Sequence, residues 1–267
     1  MEQEKLLERG DHRLHAKATL DALYELFLSS EGNLSGVLAT REAILNSTHK
    51  NMLLKNSIKY FFHDLKKGNL KQQAKTKHLD ILKYYHEAHK KISDHLEKKL
   101  RKNSSLFLAS YSDIVADAIK EIAQKNKFTL LLLETNPLNK LKNQFPEKAK
   151  NNITFITLPD LAISAALARS DYVLISSSLI TSEGSVLSTV GAGVVARTAK
   201  EHHVPVYVCA NSWSHNPGQG ANSLYINELK EEIVPPNHIQ GIICEFGIFK
   251  PELFVKENYY HNPWLFG

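Results

Sequence analysis

Three short patterns in the sequence carry residue types that binding and catalytic sites use. The first, Gly191-Ala-Gly193-Val-Val-Ala196, has the spacing G-x-G-x-x-A, which in dinucleotide-binding folds presents backbone amides at a helix start to pyrophosphate. Here the glycines follow the preceding apolar run by more than a dozen residues, not by one tight turn. The spacing therefore disfavours a dinucleotide fingerprint and leaves open a looser anion site at that helix start.

The other two patterns fail as catalytic motifs. In His86-Glu-Ala-His89 the second histidine comes three residues on, whereas a zinc-protease helix needs four so that both imidazoles share a face. Ser110, Ser112 and Asp113 stand at a strand-to-helix turn, where capping of the helix is the favoured role. The sequence also has no G-x-S-x-G nucleophile elbow and no phosphate loop ending in Gly-Lys-Ser/Thr. We therefore expect no metal and no cofactor.

Composition and charge narrow the class of protein further. With 43% hydrophobic and 23% charged residues over 267 positions, the chain falls in the range of soluble globular proteins of about two domains. Two cysteines do not make a disulfide framework, and no apolar run approaches the ~20 residues that span a bilayer, so we expect a cytoplasmic protein with no membrane contact.

The basic excess lies in one segment. Residues 66–102 contain 12 Lys and Arg against 4 Asp and Glu, a balance of +8 within a total of +5. The stretch has one arginine and lacks regularly interleaved aromatics that could stack bases. A solvated helix face is favoured, and nucleic-acid binding is the less favoured alternative.

The first hundred residues show helical spacing of apolar side chains. They recur three or four apart within 20–28, 54–65 and 82–96, with a turn and a short helix near 30–45. This predicts a helical domain over residues 1–103.

After residue 103 the pattern changes to short apolar runs separated by helical segments. The runs are 106–109, 128–133, 153–158, 172–175 and 204–209, and the helical segments are 114–123, 138–148, 161–168 and 194–202. Such alternation is typical of an α/β domain with a doubly wound, mostly parallel, Rossmann-like sheet, here assigned to residues 104–267. Ligands of such sheets bind beyond the carboxyl ends of the strands, where Asp113, Asp160, Asp171 and Glu183 are candidate carboxylates.

Five blocks of this second half, in order, resemble the alpha/beta/delta subunit family of translation initiation factor 2B. They are Ser110-Tyr-Ser112, Leu133-Glu-Thr-Asn-Pro-Leu138, Ser170-Asp-Tyr-Val-Leu-Ile175 leading into Gly184 and Gly191, His203-Val-Pro-Val-Tyr-Val208, and Val234-Pro-Pro-Asn-His-Ile239 before Cys244-Glu-Phe-Gly-Ile248. Within the family, Asn56-Ser-Ile-Lys59 and Gly184-Ser-Val-Leu-Ser-Thr-Val-Gly191 look most like the delta subunit. The resemblance implies the fold that this family shares with methylthioribose-1-phosphate and ribose-1,5-bisphosphate isomerases.

The isomerase branch implied by the resemblance uses a cysteine and an aspartate as acid and base, with arginines and an Asn-Lys pair on the sugar phosphate. In this chain the cysteine aligns with Ser110, the aspartate with Ser178 and the Asn-Lys pair with Ser188 and Thr189. The arginines align with Asn136 and with Ser35, before Gly36. Because a serine hydroxyl without an adjacent base cannot move protons at carbon, isomerase chemistry is disfavoured.

These observations predict a non-catalytic protein that acts through protein association. It would form a homo- or hetero-oligomer through the C-terminal domain, with the aromatic tail 259–266 either at an interface or packed on its own domain. A residual pocket for a phosphorylated small molecule, a sugar phosphate or nucleotide, is expected at Ser110, Asn136, Ser178, Ser188, Thr189 and Gly191. The alternative is a sugar-phosphate isomerase-like enzyme with a diverged active site.

Overall fold

A computed structural model describes residues 12–30, 34–47, 51–66, 69–136, 139, 145–224 and 230–266. The helices are α1 (His12–Ser29), α2 (Leu34–Ser47), α3 (Met52–Phe62), α4 (Leu70–Lys99), α5 (Asp113–Ala123), α6 (Glu147–Asn152), α7 (Ile163–Leu167), α8 (Ala192–Glu201) and α9 (Pro251–His261). The strands are β1 (Ser105–Leu108), β2 (Phe128–Leu133), β3 (Ile153–Leu158), β4 (Tyr172–Ser176), β5 (Leu179–Ile180), β6 (Val186–Thr189), β7 (Val206–Cys209), β8 (Glu231–Val234), β9 (Gly241–Cys244) and β10 (Gly247–Phe249).

The helices α1 to α4 bury the apolar residues whose spacing predicted them. Helix α3 begins at Asn51, whose side chain accepts a hydrogen bond from the backbone N–H of Leu54, and it buries Leu54, Ile58 and Phe61 against α1. Helix α4 is longer than its sequence pattern, buries one face against the two cores and carries most of the basic segment. The prediction of a helical N-terminal region is confirmed for the residues that the structure describes.

The predicted strands form the centre of a seven-stranded sheet. Its order is β10-β9-β7-β4-β1-β2-β3, with every neighbouring pair parallel except β10 and β9. The strands β1, β4, β7 and β9 are nearly all apolar and buried, because helices cover both faces. The mixed α/β fold and the mostly parallel sheet are therefore confirmed.

The connection between β4 and α8 contains structure that sequence patterns did not predict. The strands β5, β6 and β8 form a separate antiparallel sheet in the order β5-β6-β8. Strands of two and four residues are too short to show a period of two, so this segment was expected only as a loop. Most of the helix predicted over 138–148 lies outside the described residues, and the described part begins a helix at Glu147.

The two predicted domains share apolar surface. Ile92 and Leu96 of α4 lie in the core beneath the sheet, and Trp213, which follows β7, packs in the core of the helical part. The division at residues 103 and 104 stays a prediction; it falls in the connection between α4 and β1. Among the described helices, none is both long and apolar enough to cross a bilayer.

A cluster of charges connects α1, α4 and α5. The Arg13 guanidinium donates to the Asp117 carboxylate at 2.8 Å, and Nδ1 of the buried His89 lies 3.4 Å from the same oxygen. Burial by itself would raise the pKa of Asp117, but the neighbouring His89, Arg13 and Lys120 outweigh it and lower that pKa. The carboxylate therefore stays ionised and holds three helices together.

We expect Asp117→Asn to lower the free energy of unfolding by about 1–2 kcal/mol at pH 7, because Arg13 and His89 lose their partner. Since the folded-state pKa is depressed, this stabilisation is complete above the ordinary aspartate pKa and is lost as the pH falls through the folded-state value. Urea unfolding between pH 7 and pH 3 measures the effect. The exposed Asp80→Asn in α4 is the control, and equal losses in both variants would contradict the prediction.

Candidate functional site

The order of the strands places a ligand crevice between β1 and β4. The chain proceeds from β1 through β2 to β3 on one side and then returns to β4 on the other side of β1. Doubly wound sheets bind ligands at this reversal, beyond the carboxyl ends of the strands. Ser110 follows β1 and Ser176 ends β4, so both lie at the reversal.

Three serine hydroxyl groups fill this reversal. The Oγ of Ser110 lies 3.1 Å from the Oγ atoms of both Ser176 and Ser188, and it accepts the backbone N–H of Ser176 at 2.7 Å. Ser188 Oγ donates to the carbonyl of Ser176 at 2.8 Å. All three side chains are buried, with exposed fractions of 5% or less. The hydroxyls therefore satisfy one another and the backbone, and none of the three is paired with a titratable side chain in the part of the chain that the structure describes.

The structure places the other predicted pocket residues around this network. The Asn136 amide donates to the carbonyl of Leu108 at 3.0 Å and connects the loop after β2 to the end of β1. Ser178 is partly buried and lies 3.4 Å from the carbonyl of Leu187. Thr189 is exposed at the end of β6, and Gly191 caps α8 with a φ of +98°. The structure therefore joins Ser110 and Ser188 by a hydrogen bond, whereas Thr189 is exposed and Gly191 stands at the start of α8.

At the start of α8, where the glycine pattern left an anion site open, a side chain of this chain lies on the helix. Glu232 of β8 accepts the backbone N–H of Gly193 at 2.6 Å. A Cβ atom at position 193 would lie 2.9 Å from the other carboxylate oxygen, so a larger residue there would displace Glu232. A carboxylate on the first amides of a helix takes the position that a phosphate would take. The site therefore already has an anionic occupant.

We expect Glu232→Ala to lower the free energy of unfolding by about 1 kcal/mol, because α8 loses a charged partner at its amino end. With the carboxylate gone, inorganic phosphate should stabilise the variant more than the parent protein. Thermal unfolding with and without phosphate at matched ionic strength measures both effects. The control is Glu201→Ala, which removes the same charge at the far end of α8; phosphate stabilising all three proteins equally would contradict the prediction.

A small cavity lies between α1, α5 and the loops after β4 and β7. Its volume is about 20 Å³, and its lining includes His12, Asn51, Asp113, Ser178 and Asn211. This is room for one water molecule, whereas pockets for small-molecule ligands measure about 300–1,000 Å³. Within the described residues, the cavity beside the serine network therefore does not accommodate a phosphorylated pentose.

The candidate carboxylates are held by other groups. Asp113 accepts the backbone N–H groups of Arg13 and Ile114, and Asp160 accepts the backbone N–H and the hydroxyl of Thr135. Asp171 accepts the N–H of Ser105 at the amino end of β1, so its assignment to the ligand edge is wrong; it precedes β4 and lies at the opposite edge. Exposed Glu183 accepts the N–H of Ala221. Each carboxylate thus has a capping or connecting role.

Sequence reasoning missed two residues of the site. Ser176 is the last residue of β4, and its position at the carboxyl end of a predicted strand was the available signal. Glu232 lies 39 residues beyond Gly193, and only the pairing of β6 with β8 brings it to α8. No local pattern could have indicated that contact.

The fold and the site together define a class: a helical part joined to a doubly wound, mostly parallel α/β sheet, with neutral hydroxyls at the reversal. A sequence model of the Initiation factor 2 subunit family, IF-2B, matches residues 9–232. The chain belongs to this family.

Curated relatives include translation factors and enzymes. The chain is 25% identical over 129 residues to translation initiation factor eIF2B subunit beta of Dictyostelium discoideum, covering 48% of this chain and 33% of that protein. It is 23% identical over 200 residues to ribose 1,5-bisphosphate isomerase of Pyrococcus furiosus, covering 62% of each. The chain thus spans a third to under two thirds of these relatives. The closer likeness to the delta subunit stays a prediction.

The fold is also that of solved members of this group. The crystal structure of the tetrameric eIF2B-beta2-delta2 complex from C. thermophilum superposes with a TM-score of 0.75 at 16% identity, over 92% of this chain and 88% of that chain. At this identity the likeness shows the fold alone.

Proposed function

We propose that this chain is a non-catalytic protein resembling the initiation factor 2B subunits and that it acts through protein association. The observation that carries the proposal is the serine network at the reversal of the sheet. The family resemblance puts the proton-transferring pair at Ser110 and Ser178; the Ser110 hydroxyl is bonded to the hydroxyls of Ser176 and Ser188 and to backbone, and Ser178 lies against the carbonyl of Leu187. A hydroxyl needs an adjacent base to act in proton transfer, and the nearby Asp113 is held by two backbone N–H groups.

The occupied anion site supports the same proposal. An isomerase of phosphorylated sugars must bind phosphate, and helix starts and arginines are the usual groups for that task. At α8 the Glu232 carboxylate holds the amide of Gly193, and Arg13 is paired with Asp117. The residual small-molecule pocket at Ser110, Asn136, Ser178, Ser188, Thr189 and Gly191 is therefore proposed as a remnant that a phosphorylated ligand could enter only if Glu232 moves.

The proposed association uses the C-terminal domain. A tetrameric assembly is described for one structural neighbour, which supports an oligomeric role here. Exposed apolar side chains of α9, Leu253, Tyr259 and Tyr260, offer contact area, whereas Trp264 and Leu265 of the tail pack on this chain. The proposed interface therefore includes the exposed face of α9. A regulatory role and a cytoplasmic location are part of this proposal. Nucleic-acid binding is not part of it.

Two measurements test the proposal on the purified full chain. Multi-angle light scattering at micromolar concentration should give a mass of at least a dimer, and Tyr260→Ser should shift the mass toward the monomer. Incubation with ribose 1,5-bisphosphate or other aldose 1-phosphates should give no ketose. A strict monomer that recovers no partner from lysate would contradict association. Turnover abolished by Asp113→Asn would establish the alternative, an isomerase-like enzyme with a diverged active site.

A further inference from the structure

A second and larger pocket has none of the three network serines in its lining. It has a volume of about 350 Å³ and forms where α3 and α4 meet the segments after β7, β9 and α9. This volume is in the range of pockets that bind small molecules. Nothing in the proposed association uses it, so its chemistry is considered on its own.

The walls of this pocket are aromatic. Trp264 lies 5.1 Å from Tyr60 and 5.0 Å from Trp213 between ring centroids, and the Trp213 and Trp264 rings stand at 80° to each other. Tyr84 stacks on Trp213 at 3.9 Å. The rings of Tyr60, Tyr84 and Trp264 are partly exposed. The T-shaped pairs Tyr60–Trp264 and Trp213–Trp264 bring rings of different orientation to one pocket, where a cation can contact more than one π surface.

One face of this cluster already holds a cation. The ammonium nitrogen of Lys77 lies 4.1 Å from the centroid of the Tyr60 ring. This contact comes from outside the pocket, because Lys77 is not among its lining residues. It shows that the electron density of the Tyr60 ring attracts positive charge in this setting.

A buried carboxylate lies at the base of the pocket. Glu245 is 6% exposed, and its oxygens accept the Tyr84 hydroxyl at 2.8 Å, the backbone N–H of Ser212 at 3.1 Å and the Ser212 hydroxyl. Burial and the Glu245 charge raise the pKa of Tyr84, so the phenol stays protonated and donates. Among the described residues, no Lys, Arg or His nitrogen lies within 4 Å of this carboxylate.

Charges at the rim have both signs. Glu87 and Lys91 are exposed residues of α4 that line the opening, one helical turn apart. Glu87 adds a second negative charge, and Lys91 is the group that would oppose a bound cation. The pocket therefore combines π faces, a buried carboxylate without a described cationic partner, and a rim whose two charges act in opposite directions.

We propose that this pocket binds a small organic cation of the quaternary-ammonium type, held by the faces of Tyr60 and Trp264 and by the charge of Glu245. Recognition of such cations by aromatic side chains is a known use of cation–π attraction. A bulky, weakly hydrated cation leaves water at little cost, so it gains from the apolar walls as well as from the carboxylate.

The chain itself provides the reporter. Its two tryptophans, Trp213 and Trp264, both line the pocket, so the intrinsic fluorescence reports on this site. Choline chloride is titrated into the full chain against sodium chloride at equal ionic strength, with isothermal calorimetry in parallel. We expect a saturable change in emission with choline. The neutral isostere 3,3-dimethylbutan-1-ol should bind about tenfold more weakly or worse, because it has the shape without the charge.

Three substitutions test the electrostatic origin of this affinity. Glu245→Gln should weaken choline binding about tenfold or more. The exposed rim gives a matched pair, in which Glu87→Gln should weaken binding about threefold and Lys91→Gln should strengthen it about threefold. Leu79→Ala, exposed on α4 and outside the pocket, should leave affinity unchanged. If Glu245→Gln fails to fold, the test is whether Glu87→Gln and Lys91→Gln change the affinity for choline in opposite directions. No saturable response, equal binding of the neutral isostere, or the same sign at both rim positions would overturn the proposal.

Discussion

Lowering the pH from 7 to 4 is expected to remove about 3 kcal/mol of unfolding free energy through one side chain, His215. Burial lowers the pKa of this histidine from 6.5 to about 4, because the charged ring would lose its hydration. The unfolded chain therefore binds a proton between these values while the folded protein does not. The stabilisation is complete above pH 6.5 and is lost as the pH falls to about 4.

The surroundings of His215 explain why its protonation destabilises the folded protein. Its side chain is fully buried, and Nδ1 lies 3.0 Å from the Asn258 amide nitrogen, which fixes Nδ1 as an acceptor. The ring packs edge-on against Phe254 and Phe266. A proton on Nδ1 would face the donor of Asn258, so protonation breaks a contact as well as burying a charge.

The matched variant for this prediction is His215→Asn. Its Oδ1 can take the place of Nδ1 as the acceptor for Asn258, but it does not titrate. Urea unfolding at pH 7, 5.5 and 4 should show a lower starting stability and a smaller fall with pH than in the parent protein. Because carboxylates such as Asp117 also respond to acid, the difference between the two proteins is the measurement. Parallel pH dependences would contradict the role of His215.

Asn258→Ala is expected to lower the free energy of unfolding by about 4 kcal/mol. The side chain is fully buried on α9, where its amide donates to the carbonyl of Ser212 at 3.0 Å and contacts His215. Its oxygen accepts the amide of Asn262 at 2.7 Å. Alanine removes one hydrogen bond from each of three buried polar groups, the Ser212 carbonyl, His215 Nδ1 and the Asn262 amide, and opens a cavity. The C-terminal helix should therefore separate from the loop after β7.

The control for this change is Lys256→Ala, an exposed position of the same helix with the same target residue. Chemical unfolding gives the two stabilities, and Trp213 fluorescence reports on the contact, since its indole N–H donates to Asn262 at 3.0 Å. Asn56 should couple with Asn258 in a double-mutant cycle, because its amide donates to the carbonyls of both Trp213 and His215. A loss of unfolding free energy below 1 kcal/mol in Asn258→Ala would refute this account of how α9 is held to the segment after β7.

The two predictions concern the same junction, where the segment after β7 meets α3 and α9. This junction also forms one wall of the proposed cation pocket. The segment after β7 is held by Asn56 from α3 and by Asn258 and Asn262 from the C-terminal end. Because Trp213 lies in this segment, the same hydrogen bonds position one wall of the pocket. Variants that loosen the junction should therefore lose both stability and the fluorescence response to choline.

Local patterns determined most of the fold. Apolar side chains three or four apart predicted the helices that bury Leu54 and Phe61, and the apolar runs became the central strands, because both periods follow from the geometry of a single segment. The order of strand and helix then required a parallel sheet. The family resemblance also implies, from the sequence alone, that Ser110, Ser178 and Thr189 stand where the isomerases have ionisable residues, since side-chain identity needs no coordinates.

Only the tertiary structure decided which groups meet. The pairing of β6 with β8 puts Glu232 on the start of α8, and the reversal of strand order joins Ser176 to Ser110. The aromatic pocket gathers Tyr60, Trp213 and Trp264 from three distant segments. Such contacts span tens to hundreds of residues and have no periodic signature, because they depend on how whole elements pack. The residue types at the reversal of the sheet could therefore be read from the sequence, whereas the aromatic pocket forms only when these distant segments pack together.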